Sequence, residues 1–110
     1  MKTLKLKTDY GAYKIALCKD TYETTDNLYV GLLCKEGKYY EPYGDLTVNL
    51  HKLPENQAYI DTNNNGVEII DWLIENKLGK FTGQYGYSGF CAYPLFEFDM
   101  DESSKYLIEE

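Results

Sequence analysis

Between Leu4 and Leu50 the chain repeats one pattern: short runs in which apolar and polar side chains alternate, cut by turn residues. Leu4 and Leu6 alternate with lysines, and Tyr13, Ile15 and Leu17 alternate with Lys14, Ala16 and Cys18. Leu28, Val30, Leu32 and Cys34 share one face, and residues 45–50 alternate throughout. Successive side chains of an extended strand point to opposite faces, so each run reads as a half-buried strand. The breaks fall at Asp9-Tyr10-Gly11, Glu36-Gly37-Lys38 and Tyr43-Gly44. Connections this short join antiparallel neighbours, because a parallel crossover takes a dozen or more residues. Ala58-Tyr59-Ile60 is a further short strand, and a last one runs through Phe96 and Phe98.

One segment leaves the pattern. Over residues 66–78, at ~100° per residue, Val67, Ile70, Leu73, Ile74 and Leu78 fall on one arc. Glu68, Asp71 and Glu75 cluster opposite, with Trp72 at the margin of that acidic stripe and partly covered. Asn65 with Glu68 three residues on makes a capping box, and Gly79 is placed to end the helix in a left-handed conformation. The expected fold is therefore α+β. It is an antiparallel sheet of five or six strands, with one main helix (about 66–78) packed on a face through Val67, Ile70 and Ile74. A length of 110 residues suits one domain over 1–110. Its acidic tail from about Asp99 is expected to be frayed, or a short helix begun at Ser103 or Ser104.

Charge narrows the function. The net charge is −7, and the excess lies in the second half. Residues 1–55 balance their acids with lysines, whereas residues 56–110 set ten acids against Lys77, Lys80 and Lys105. There is no arginine, the residue that grips phosphate and guanine bidentately, so direct nucleic-acid binding is not expected. No apolar run approaches the ~20 residues that span a bilayer, and Met1–Lys7 lacks the hydrophobic stretch of a signal peptide. Neither membrane contact nor export is expected, which places the chain in the cytoplasm. Cys18, Cys34 and Cys91 are odd in number and widely spaced, which fits reduced, mostly buried thiols rather than a disulfide framework.

The candidate chemical motifs are weak. Asp61-Thr62-Asn63-Asn64-Asn65-Gly66 opens like a calcium loop, but the twelfth position, where a bidentate glutamate belongs, is Trp72. A polar turn in which Asn side chains cap the backbone is the better reading. Gly83, Gly86 and Gly89 recur between aromatics without matching a phosphate loop, and read as tight turns or a bulge in an aromatic hairpin. His51 is the sole histidine, and none of the cysteines has a context that would stabilise a thiolate partner for it. Three scattered cysteines and that histidine lack zinc spacing. Nothing selects a catalytic pair among the many carboxylates. No cofactor, metal or catalytic residue is expected. The twelve tyrosines suit either a sheet or an interface.

A resemblance is carried by Leu46-Thr47-Val48-Asn49-Leu50, by Leu53-Pro54-Glu55-Asn56, and by Tyr59 to Asn64. It continues through Leu78-Gly79, Thr82-Gly83 and Ser88-Gly89-Phe90-Cys91-Ala92-Tyr93-Pro94-Leu95-Phe96. Over residues 45–98 the chain resembles the domain of unknown function 4313, a family of short bacterial proteins often carried on phages and mobile elements. The lysine-rich start and residues 19–27 read as this protein's own. The resemblance implies an accessory role on a mobile element, carries over no catalytic residue, and makes Asp61–Asn64 a family turn.

These readings converge on a non-catalytic protein-binding module, an accessory or anti-defence factor that meets a basic surface on a host protein. Its contact residues are expected to be Glu68, Asp71, Trp72 and Glu75 on the helix, with Asp99, Asp101 and Glu102 of the tail as the other acidic surface. The alternative is a small-ligand or metal-binding domain that uses the Asp61–Asn65 turn or the glycine-aromatic loop 83–90.

Overall fold

The computed structural model describes residues 2–108, and its strands follow the alternation of the sequence over most of the first half. β1 (Leu4–Thr8), β2 (Gly11–Thr21), β3 (Leu28–Glu36) and β4 (Tyr39–Asp45) form an antiparallel meander in the order β1-β2-β3-β4. Registers such as Leu6↔Tyr13 and Leu17↔Leu32 put the apolar residues of neighbouring strands on one face. β5 (Thr47–Val48), β6 (Gln57–Ile60), β7 (Gly79–Ser88) and β8 (Cys91–Phe98) make a second antiparallel sheet in the order β5-β6-β8-β7. Three short helices complete the described residues: α1 (Thr62–Asn65), α2 (Glu68–Glu75) and α3 (Met100–Ser103), the last running into a 3-10 turn over Ser104–Tyr106.

The single sheet of five or six strands is thus corrected to two sheets of four. Two local features account for the difference. Tyr39, Tyr40 and Tyr43 sit in β4, a strand exposed along nearly its whole length, so no buried face signals it in the sequence. Residues 45–50 alternate, yet only Thr47 and Val48 pair, because Leu46 marks the crossing between sheets. The Leu46 N–H donates to the Val30 carbonyl of β3, and the Leu46 carbonyl accepts from Asp61 N–H. The buried Thr47 hydroxyl joins the same crossing by accepting from Val30 N–H. Ile15, Leu17, Leu32, Leu46, Ile60, Leu73, Leu78 and Phe96 are fully enclosed between the layers.

The helix is also corrected in extent, caps and buried face. Gly66, at φ 84°, separates α1 from α2, and Val67 stands at the N-cap of α2 with no side-chain cap, so the Asn65/Glu68 box does not form. Asn65 instead donates its amide to the Asp45 and Asp61 carbonyls. At the other end Lys77, not Gly79, takes the left-handed conformation, at φ 61°. Leu78 N–H reaches the Leu73 carbonyl and Lys77 N–H reaches that of Ile74, the paired bonds of a Schellman motif. Gly79 serves a different need: a Cβ there would collide with the Glu97 carbonyl of β8. The buried side chains of α2 are Ile69, Trp72 and Leu73, whereas Val67 is 73% and Ile74 44% exposed. Ile70 packs partly against the core.

The C-terminal stretch is docked. Asp99 caps α3 by accepting from Glu102 N–H, so the helix begins at Asp99 rather than at Ser103 or Ser104. Ser103 is buried and donates to the Leu78 carbonyl. Leu107 then bridges in parallel to Leu17 of β2, where β1 has ended, and Ile108 N–H donates to the Leu17 carbonyl.

Candidate functional site

A groove of about 1260 Å³ runs between the β1–β2 hairpin and the α1–α2 segment. Its α2 wall carries Glu68, Asp71 and Glu75, all exposed. Positions 68, 71 and 75 fall within one narrow arc of a helix, so about two turns present three carboxylates together. The opposite wall carries Lys5, Lys7, Tyr10, Tyr13 and Tyr43, with Asp9 and Asp45 at its ends. The Tyr13 and Tyr43 rings pack at 5.4 Å between centroids, a contact made across β2 and β4 with β3 between them. Burial pushes the Tyr43 phenol up from its ordinary value. Acidic side chains outnumber the two lysines along these walls, so the groove attracts positive charge.

Trp72 is placed differently from the sequence expectation. It is 9% exposed, and its indole N–H donates to the Lys5 carbonyl at 2.8 Å. The ring forms the floor of the groove and latches α2 to the open edge of β1. A buried indole seeks an acceptor for its N–H, and the edge strand supplies one. The most exposed aromatic of the groove is Tyr10, 92% exposed at the tip of the β1–β2 turn, against 38% for Tyr43. Sequence reasoning missed Tyr10 and Tyr13 as site residues. The Asp9-Tyr10-Gly11 turn signal held the information, since closing that hairpin fixes Leu6 opposite Tyr13.

Asp99, Asp101 and Glu102 are not among the groove's lining residues and lie together at the start of α3. Asp99 is engaged as a cap, and Glu102 pairs with Lys105 at 2.8 Å, a contact that holds the Lys105 ammonium above its usual range. Asp101 is exposed. Asp99 also borders a smaller pocket of about 530 Å³ with Ile74, Lys77, Lys80 and Glu97.

The Asp61–Gly66 segment is a capped helical turn. One Asp61 carboxylate oxygen accepts from Asn64 N–H at 3.1 Å and the other from the Asn64 amide at 2.8 Å, with the side chain buried. Among the described residues no three of His, Cys, Asp and Glu gather as a metal-binding group. The glycine-aromatic loop 83–90 is the β7–β8 hairpin: Gly83 lies in a bulge between Phe81 and Tyr85, and Gly89 makes the turn. The Tyr59 ring packs against the bare face of Gly86, where a Cβ would meet it at 2.5 Å. His51 is exposed with its ring edge-on to Tyr59. Burial, followed by the Glu36 and Glu41 carboxylates, pushes the Cys34 thiol up, the reverse of the depression that activates a nucleophile.

A second polar cluster holds the groove's frame. Asn27, buried at the β2–β3 turn, donates to the Asn49 side chain and the His51 carbonyl and accepts from Leu53 N–H. Its three bonds tie residues 49–53 to the first sheet. Tyr22 shares a hydrogen bond with Thr47 at 2.9 Å, and Tyr29 donates to Asp45 at 2.6 Å.

No helix among the described residues is long and apolar enough to cross a membrane. No curated protein and no solved structure matches the chain. A family does, and its match is wider than the 45–98 stretch that carries the resemblance. It takes in residues 19–27, which the sequence reading assigned to this protein alone, and leaves out β1 and the β1–β2 turn, which form most of one wall of the groove. With residues 16–110 matched, the chain belongs to the family described as a domain of unknown function (DUF4313).

Proposed function

We propose that this chain is a non-catalytic protein-binding module whose α2 wall receives a basic surface of a partner protein. The observation that carries the reading is the exposure of Glu68, Asp71 and Glu75 on one arc of α2, along a groove that Tyr10 also lines. Acidic charge speeds encounter with a basic partner, and an exposed tyrosine beside it offers contact area at low entropic cost. Trp72 contributes by holding α2 in place, not as the anchor. The charge of the second half and the lack of arginine favour a basic protein over a nucleic acid. The proposed role is that of an accessory or anti-defence factor of a mobile element in the bacterial cytoplasm, in line with what the resemblance implies, with a host protein that normally holds nucleic acid as the partner. The tail acids Asp99, Asp101 and Glu102 are the second surface of the same sign. The small-ligand or metal alternative draws less support, since both Asp61 oxygens are occupied by Asn64.

The test is site-specific photo-crosslinking in the host cell. A photoreactive side chain at position 71 should capture a basic protein, and the same group at Lys38, in the β3–β4 turn, should not. Capture of the same protein from both positions, or from neither, contradicts the reading.

A further inference from the structure

From Phe81 to Phe96 the chain carries no Asp, Glu, Lys, Arg or His, in a molecule of net charge −7. This neutral stretch forms most of the β7–β8 ribbon, and β7 is the outermost strand of its sheet. Ser88 pairs with Cys91 across Gly89 and Phe90, and Gly89 at φ 60° stands first in that two-residue turn, where a glycine is favoured. Counting back from the closed pair, the ladder turns the N–H and C=O groups of Tyr85 and Tyr87 away from β8. Among the described residues no backbone bond outside the ladder reaches them.

The other strand edges are guarded. β1 has Lys5 and Lys7 and the Trp72 indole on the Lys5 carbonyl, β4 has Glu41 and Pro42, and β5 is two residues long. Charge, proline, cover and shortness are the usual devices against edge pairing. The outer half of β7 has none of them. Beside its open edge lie exposed rings: Tyr85, Tyr87 at 68% and Phe90, wholly exposed at the tip. By register, Tyr85 and Tyr87 share the face of Pro94 and Phe96, so the side of the ribbon that packs the core continues past it into solvent.

We propose that β7 pairs antiparallel with β7 of a second copy of this chain, about a two-fold axis at Gly86, joining two four-stranded sheets into one of eight. Two molecules of net charge −7 repel one another, and the neutral ribbon is where they meet without opposing carboxylates. A two-fold contact uses the same patch on both copies, and this patch is self-complementary. Tyr85 faces Tyr87 of the second copy on each side of the axis, a cross-strand aromatic pair. The exposed parts of Tyr85, Tyr87 and Phe90 come to at most roughly 900 Å² over the two copies, and with the paired backbone the contact stands near the ~1,000 Å² at the low end for a specific, weak interface. The dimer does not depend on the groove, which lies between the β1–β2 hairpin and the α1–α2 segment.

The test is sedimentation equilibrium of the full chain over about 5 to 500 μM at low and high salt, joined to hydrogen exchange of the Tyr85 and Tyr87 amides. A monomer–dimer equilibrium is expected, tightening with salt as the repulsion is screened, with both amides gaining protection as the dimer forms. Tyr87→Lys, at an exposed position, should weaken the dimer at least about tenfold, because it replaces both cross-strand tyrosine pairs and sets two lysines diagonally across the axis on one face. A chain that stays monomeric at the highest concentration overturns the proposal. So does a dimer whose Tyr85 and Tyr87 amides exchange freely, a readout that needs no variant, or one that is equally tight in Tyr87→Lys.

Discussion

Lys77 carries a strain that its sequence position conceals. A side chain in the left-handed region crowds its own carbonyl, yet the Schellman bonds to Leu73 and Ile74 require that conformation there. Lys77→Gly removes the crowding, at a smaller cost in unfolded-chain entropy, and should stabilise the protein by about 1 kcal/mol. For a chain of this size that is a rise of roughly 5 °C in Tm by thermal unfolding. Gly79, two residues on, looked like the better terminator, but its missing side chain is needed to clear the Glu97 carbonyl. Tyr29 sets a pH limit. Its hydrogen bond to Asp45, then burial, raises the phenol well above the ordinary value near 10. A folded state that holds its proton more tightly keeps the associated stability in full below about pH 10 and loses it as the pH climbs beyond. Urea midpoints for the parent should therefore fall between about pH 9 and 11. Tyr29→Phe should start lower and fall less, keeping the parts due to Tyr22, Tyr43 and Cys34, which burial raises in the same direction. Equal slopes would show that the Tyr29–Asp45 bond contributes nothing.

Helix α2 shows what a periodicity can and cannot reveal. Its existence, its acidic stripe and its approximate place were legible, because Glu68, Asp71 and Glu75 can only share one face. Its rotation was not, since Ile69, Ile70, Trp72, Leu73 and Ile74 offer two overlapping apolar arcs. The acceptor that settles the choice is the Lys5 carbonyl, far away in sequence on a strand edge. The outcome can be measured directly. Leu73→Ala should cost about 3 kcal/mol, as expected for a fully enclosed leucine, while Val67→Ala should stay within about 0.5 kcal/mol. Comparable losses at both positions would mean that α2 is rotated from the face described. Strands with one buried side were legible in the same way, β2 and β3 above all. β4 was not, because its side chains are exposed almost throughout. The groove followed this division: its α2 wall could be read from spacing, and its tyrosine wall depended on the pairing of β1, β2 and β4.

At the scale of the molecule, two antiparallel sheets meet at Leu46, and the groove opens between the first sheet's hairpin and the helices that follow β6. The family match covers the α2 wall and leaves out β1 and the β1–β2 turn, so one wall lies within the family's own span and the other, apart from Tyr43 to Asp45, outside it. The charge of the second half, read from composition as a general acidity, becomes a surface only once α2 is oriented by Trp72. The central claim is that this surface binds a basic protein. The most direct measurement is the salt dependence of affinity for the crosslinked partner, compared between the parent and the double variant Glu68→Lys with Asp71→Lys. The account predicts unchanged Tm within about 2 °C, since both side chains are exposed. It also predicts at least about tenfold weaker binding at low salt, and a flatter decline as salt rises. A double variant that binds as tightly as the parent at every salt concentration would contradict it.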